Sequence, residues 1–284
     1  MEYASEFRYR KPRIDERTVV IALSQSGETA DTLAAIREAK NKGALTLGVV
    51  NVVGSTIARE TDAGIYNHAG PEVSVASTKA FTSQLAILAL LTLYLGRQRD
   101  MSLVTGKRIA EELRLLPSLI ERVAQQSEAI GKMALTYKDT SNFLYLGRKY
   151  TMAIALEGAL KIKEIAYVAA QGYPTGEMKH GPIALIDDQA VCLFIAPEDS
   201  VYEKSMSGLE EIKARGGRVI AITTEGNEAI GKKADDVIFI PKTLELLTPV
   251  LAVVPLQLFA YHMSVVKGYD VDRPRNLAKS VTVE

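Results

Sequence analysis

Short apolar runs alternate along this chain with stretches whose apolar positions recur at helical spacing, and that alternation predicts parallel strands joined by helices. Residues 1–17 mix charge with aromatics and lead into a strand at 18–23 without a turn cluster. The run stops at Ser24-Gln25-Ser26-Gly27-Glu28-Thr29, and a helix pattern over 30–42, with Leu33, Ile36 and Ala39 on one face, starts at once. A strand at 44–51, a short helix at 55–60, a short strand at 63–66 and a nearly all-apolar helix at 78–96, apolar enough to require burial, follow. Residues 101–136 carry two leucine-punctuated helical patterns, 104–115 and 119–135, divided at Pro117, with no strand candidate. The strand pattern restarts at 142–147, a helix runs from 150 to about 169, and a loop holding Gly172, Pro174, Gly176, Gly181 and Pro182 comes next.

From there the chain repeats itself. The stretch from Val19 parallels that from Val191, the stretch from Ala35 parallels that from Gly208, and the apolar helix holding Gln84 parallels the one holding Gln257. So long a period marks a duplicated domain rather than a solenoid. The prediction is two doubly wound α/β domains, at 1–103 and 137–268, with a helical linker at 104–136 and a tail at 269–284. In the second copy a strand and a helix over 142–169 precede the equivalent of Val19, and the first copy has no counterpart for them. The first domain is therefore expected to lack its opening strand and helix, which leaves unpaired backbone and exposed apolar faces.

The strand-to-helix turn at Ser24–Thr29 carries the first chemistry. Backbone N–H groups and a helix dipole converge there, Ser24, Ser26 and Thr29 add hydroxyls, and Gly27 lets the chain bend close to a ligand. A phosphomonoester fits, whereas the missing GxxxxGK[ST] pattern argues against a nucleoside triphosphate. A well-capped helix with no ligand is the other reading. In the second copy the turn becomes Ala196-Pro197-Glu198-Asp199-Ser200-Val201, with two carboxylates and one N–H fewer, so only the first is expected to hold phosphate.

Composition narrows the partners. With 34 basic and 34 acidic residues there is no global field for nucleic acid or an anionic membrane. Cys192 is the only cysteine and sits in an apolar run, which excludes disulfides and cysteine-rich metal sites and fits a reducing cytoplasm. The apolar stretches 85–95 and 250–260 read as too short to span a bilayer. Neither a metal nor another cofactor is expected, since no pair among the three histidines has ligand spacing.

On the helix from Tyr150, Glu157, Lys161 and Glu164 share one face while Lys163 points elsewhere. A carboxylate beside an ammonium on a buried helix suits general-base work on a sugar, and a surface Glu–Lys ladder is the alternative. His180, in the Gly/Pro-rich loop, is the best acid–base candidate of the histidines, His262 reading as a core residue. The tail carries Arg273, Arg275 and Lys279 between apolar Leu277, Val281 and Val283, a pattern for docking on the domains and delivering a cation. Lys279 suits Schiff-base chemistry if burial depresses its pKa. A disordered basic tail is the alternative.

Together SQSGETADTL, VASTKAFTSQL, ALEGALKIKEIAY, GEMKHGP and DVDRPRNLAKSVTVE resemble the isomerase half of the glutamine:fructose-6-phosphate amidotransferase family, over essentially the whole chain. The resemblance implies tandem, flavodoxin-like SIS domains and a transferase reaction in which fructose 6-phosphate and ammonia give glucosamine 6-phosphate. It implies phosphate binding by Ser24, Gln25, Ser26 and Thr29, and a sugar pocket lined by Val75, Ser77 and the main chain of Ala278. It further implies a Schiff base on Lys279, proton transfer by Glu164, Lys161 near the sugar hydroxyls, and ring opening by a His180 supplied across a homodimer interface. The family's glutaminase domain has no counterpart here, nor has the opening strand with its Gly-Thr-Ser turn, so isomerisation is the activity expected of this stretch alone. A non-catalytic phosphosugar-binding module, or an inactive fragment, is the alternative.

Overall fold

The computed structural model describes residues 1–279 and Thr282. Two compact units divide it, Met1–Ile87 with Arg275–Glu284, and Leu88–Pro274. Val281 and Val283, expected to help dock the tail, lie outside the described residues.

In the first unit a short helix α1 (Ala4–Phe7), unforeseen among the charged residues of the N-terminus, precedes β1 (Val19–Ser24), α2 (Ala30–Asn41), β2 (Leu45–Val50), α3 (Thr56–Glu60) and β3 (Ala63–Tyr66), and α4 (Lys79–Arg97) begins there. The strands form a parallel sheet in the order β1-β2-β3, with Val19 opposite Leu45 and Leu47 opposite Ala63. Strand alternation sends Ala22 and Val50 to one face, where Ile36 of α2 and Ile57 of α3 complete a small core. On the other face Val19, Ile21, Leu23, Leu45 and Ile65 stand exposed.

In the second unit α5 (Leu103–Ala124) and α6 (Ser127–Thr136) precede β4 (Asn142–Gly147), α7 (Tyr150–Ala166), β5 (Ala169–Pro174), two 3-10 turns at Thr175–His180 and Pro182–Leu185, β6 (Val191–Ile195), α8 (Tyr202–Lys213), β7 (Arg218–Thr224), α9 (Glu228–Gly231), β8 (Asp236–Ile240) and α10 (Thr248–Val266). The sheet is parallel throughout, in the order β5-β4-β6-β7-β8. Leu144, Cys192, Phe194 and Val219 pack beneath α8 with Leu209 and Ile212, and burial pushes the Cys192 thiol up to about 12, consistent with an inert core residue. On the opposite face Phe143 meets Phe259 of α10 edge-on, ring centroids 5.7 Å apart.

The strands β6-β7-β8 repeat β1-β2-β3, and β4, α7 and β5 have no counterpart in the first unit among the described residues.

Four expectations need correction. Pro117 does not divide two helices: α5 runs through it and ends at Ala124, with Gln125 as its C-cap. Ile109, Leu116 and Val123, seven residues apart and all buried, anchor one continuous face that outweighs the lost N–H, and Ser118 Oγ donates to Leu115 O at 2.8 Å. The helix from Tyr150 stops at Ala166, where Tyr167 turns left-handed at φ 53°, and residues read as its end and a loop form β5. Its glycine and proline disguised that strand; β5 is an edge, where proline is tolerated, and a Cβ on Gly172 would lie 2.7 Å from Leu156 Cα. The helix at 78–96 is not buried as required: Leu90, Tyr94 and Leu95 are exposed, whereas its repeat α10 packs on α7. Finally, α4 and the helical run Glu245–Val266 do reach membrane-crossing length and composition, although 61% of the apolar window in the latter is buried.

Candidate functional site

The turn after β1 is built to hold hydroxyls in place. Gly27 N–H donates to Ser24 Oγ at 3.0 Å and Glu28 N–H to Ser26 Oγ at 3.2 Å, so both hydroxyl oxygens are held from within the turn and each O–H keeps a proton to donate. Those two amides, expected to face a ligand, are thus engaged by the serines. Thr29 is the N-cap of α2 yet its side chain makes no capping bond, which leaves the helix's first N–H groups for an anion. Gly27 takes φ 70°, and a Cβ there would lie 2.1 Å from Ser55 Oγ. Gln25 O accepts from Asn51 N–H at 3.3 Å, which ties the turn to the end of β2.

Residues that the sequence reading passed over support this turn. Ile57 N–H donates to Gly27 O at 2.9 Å and Thr56 N–H to Glu28 Oε1 at 2.8 Å, so α3 forms its back wall. Hydrogen bonding from Thr56 lowers the Glu28 carboxyl below the ordinary range. Glu72 gathers the loop that contains Val75 and Ser77. Its carboxylate accepts from Ala80 N–H at 2.9 Å, Thr78 N–H at 3.2 Å and Ser77 Oγ at 3.4 Å, which caps α4 from outside the helix. The available signal was a carboxylate just upstream of a Ser-Thr pair.

Within the same unit Lys279 donates to the carbonyl of Ser74, next to Val75. The tail therefore rests on the loop that the resemblance assigns to the sugar. Lys279 and Ala278 are both exposed, so the burial considered for Lys279 is not present.

In the second unit α7 brings the predicted stripe together. Lys161 Nζ is 2.6 Å from Glu164 Oε2 and 3.4 Å from Glu157 Oε1, the lysine side chain only 4% exposed, and Lys163 faces solvent. This is no surface ladder. Desolvation raises the Glu157 carboxyl above its ordinary value despite Lys161 beside it. His180 ends the 3-10 turn after β5 and is exposed; the hydrogen bonds of the stripe do not include it.

The second-copy turn differs in chemistry as well as sequence. Lys149 Nζ reaches Ser200 Oγ at 3.0 Å and Glu245 Oε1 at 2.5 Å, so an internal ion pair occupies the turn's hydroxyl. Among the described residues no group of three or more His, Cys, Asp or Glu is arranged to hold a metal ion.

The SIS domain profile matches residues 1–94 and 136–267, the stretches that carry both turns and the α7 stripe. The chain belongs to the SIS domain family. It is 54% identical over its whole length to the glutamine–fructose-6-phosphate aminotransferase [isomerizing] of Chlorobaculum tepidum, and 52% identical to that of Thermus thermophilus. The chain spans about half the length of these curated relatives, 46% and 47%. Among solved structures, the C-terminal domain of glucosamine-fructose-6-phosphate aminotransferase from Francisella tularensis superposes with a TM-score of 0.91 at 36% identity, over 96% of this chain and 78% of that one. The chain thus corresponds to the C-terminal, SIS-domain half of these relatives.

Proposed function

We propose that this chain is the sugar-phosphate isomerase module of a glutamine–fructose-6-phosphate aminotransferase, acting on fructose 6-phosphate. The observation that carries the reading is the Glu157–Lys161–Glu164 stripe, because a buried ammonium holding two partly buried carboxylates suits a general base for proton transfer at carbon. The turn Ser24, Gln25, Ser26 and Thr29 takes the phosphate, with serine O–H groups and the N-terminus of α2 as donors. Val75, Ser77 and the Ala278 main chain line the sugar, and His180 opens the ring, supplied by the second subunit of a homodimer.

In isomerisation Glu164 removes a proton from C1 of the open-chain ketose while O2 gains one, giving the enediol. Glu164 then returns a proton to C2 as the O1 proton leaves, which yields the aldose. When ammonia is supplied by the glutaminase domain of a full-length relative, Lys279 first takes C2 as an imine with loss of water. Ammonia then displaces the lysine, and the same C1-to-C2 proton shift gives glucosamine 6-phosphate. The reading places the protein in the cytoplasm, with no metal or other cofactor. Conversion of fructose 6-phosphate to glucose 6-phosphate, followed with a coupled dehydrogenase, tests it: turnover lost in Glu164→Gln supports it, and turnover unchanged by that substitution refutes it.

A further inference from the structure

Asn51 bridges two separate stretches of the first unit. It follows β2, and its backbone N–H donates to Gln25 O at 3.3 Å, in the turn after β1. Its side chain spans two consecutive residues of the loop after β3: Oδ1 accepts from Ala69 N–H at 2.9 Å, and Nδ2 donates to Gly70 O at 2.8 Å. A backbone N–H donates and a carbonyl accepts, so the pair calls for a side chain that offers both an acceptor and a donor. Two bonds from one planar amide fix the loop's orientation as well as its distance from the turn.

Packing does little to locate the tip of that loop. His68 at φ 50° and Gly70 at φ 72° are both left-handed, a Cβ on Gly70 would have nothing within 4 Å, and Val73 is 77% exposed. Polar contacts hold it instead. Asn51 fixes the entry, and Glu72 fixes the exit through Ser77, Thr78 and Ala80. Between them Lys279 donates to Ser74 O. A loop released at Asn51 is free to shift Ser74, Val75 and Ser77 relative to the turn.

We propose that Asn51 is a specificity-determining positioning residue, which sets the spacing between the turn at Ser24–Thr29 and the loop at Ser74–Ser77 and so selects sugar phosphates by carbon-chain length. This rests on the reading above, in which the turn takes the phosphate and the loop lines the sugar. Asn51 itself touches no substrate. A fixed spacing rewards the ligand that spans it and penalises one a carbon shorter, which gives up contacts at one end. A loose loop follows either ligand and discriminates between them less.

Calorimetric titration with fructose 6-phosphate, with ribulose 5-phosphate, a ketose phosphate one carbon shorter, and with glycerol 3-phosphate tests this. The unsubstituted chain is expected to prefer fructose 6-phosphate to ribulose 5-phosphate by roughly tenfold or more. Asn51→Leu, which removes both side-chain bonds, should bring that ratio to within about twofold while glycerol 3-phosphate affinity stays within about twofold, because the backbone bond to Gln25 persists. Asn51→Asp is a second variant of the same shape: it keeps the acceptor for Ala69 and loses the donor to Gly70, and it should also lose the preference. An undiminished preference in both variants overturns the proposal. So do variants that weaken all three ligands alike or do not fold, which would make Asn51 a structural support of the turn. Equal affinity of the unsubstituted chain for the two ketose phosphates overturns the proposal and leaves the fructose 6-phosphate reading standing, whereas a folded chain that binds no fructose 6-phosphate overturns both.

Discussion

Lys161 Nζ lies 2.6 Å from Glu164 Oε2 on α7, and the lysine side chain is almost wholly removed from water. With Glu157 on its other side, one cation answers two carboxylates. Desolvation makes this arrangement costly, so it is weak evidence for stability as such and marks the three groups as a candidate functional cluster.

The cation's absence should be costly. Lys161→Ala leaves Glu157 and Glu164 facing each other without compensation, and should destabilise the second unit by about 3 kcal/mol in denaturant unfolding. Adding Glu157→Gln removes the more desolvated carboxylate and should recover at least about 1 kcal/mol. Additive losses in the double variant would mean that the three groups do not act as a unit.

Gly27 should tolerate no side chain. At φ 70° a Cβ would sit 2.1 Å from Ser55 Oγ and 2.5 Å from Ser55 Cβ, so Gly27→Ala should destabilise the first unit by about 2 kcal/mol or more. Ser55→Gly in the same protein clears both atoms and should return part of that loss while the backbone strain persists. Unfolding followed by a probe within the first unit measures both.

Acid should loosen the first unit through two carboxylates. Hydrogen bonds from the Thr46 backbone and hydroxyl, with Lys40 nearby, hold Asp62 at about 2, and bonding from Thr56 lowers Glu28. Both folded pKa values lie below the unfolded ones, so their stabilisation is complete above about pH 4 and is lost as pH falls toward the folded values. Asp62→Asn should flatten the decline in stability between about pH 4 and pH 2. An unchanged pH profile in that variant would remove Asp62 from the account.

Much of this was legible in the sequence because the signals were local. The apolar run ending at Ser24, the bounds of β3 and β4, and the shared face of Glu157, Lys161 and Glu164 follow from period and spacing alone. The misses are tertiary. β5 contains Gly172 and Pro174 because it is an edge pressed against Leu156 of α7, a contact no local pattern encodes. The continuity of α5 through Pro117 rests on burial of Leu116 and its neighbours a heptad away. Glu72 escaped notice because its role as a cap for α4 depends on the path of the intervening loop. The exposure of α4 was hidden for the opposite reason, since apolar composition reports what a helix is suited to bury against rather than what is present beside it.

Proton abstraction at carbon is the central claim, and solvent deuterium reports it most directly. Fructose 6-phosphate incubated with the chain in D2O, followed by NMR, should gain deuterium at C1, and Glu164→Gln should abolish the exchange while the protein remains folded. Exchange persisting in Glu164→Gln, or no exchange in a folded chain that binds the sugar phosphate, would contradict the account.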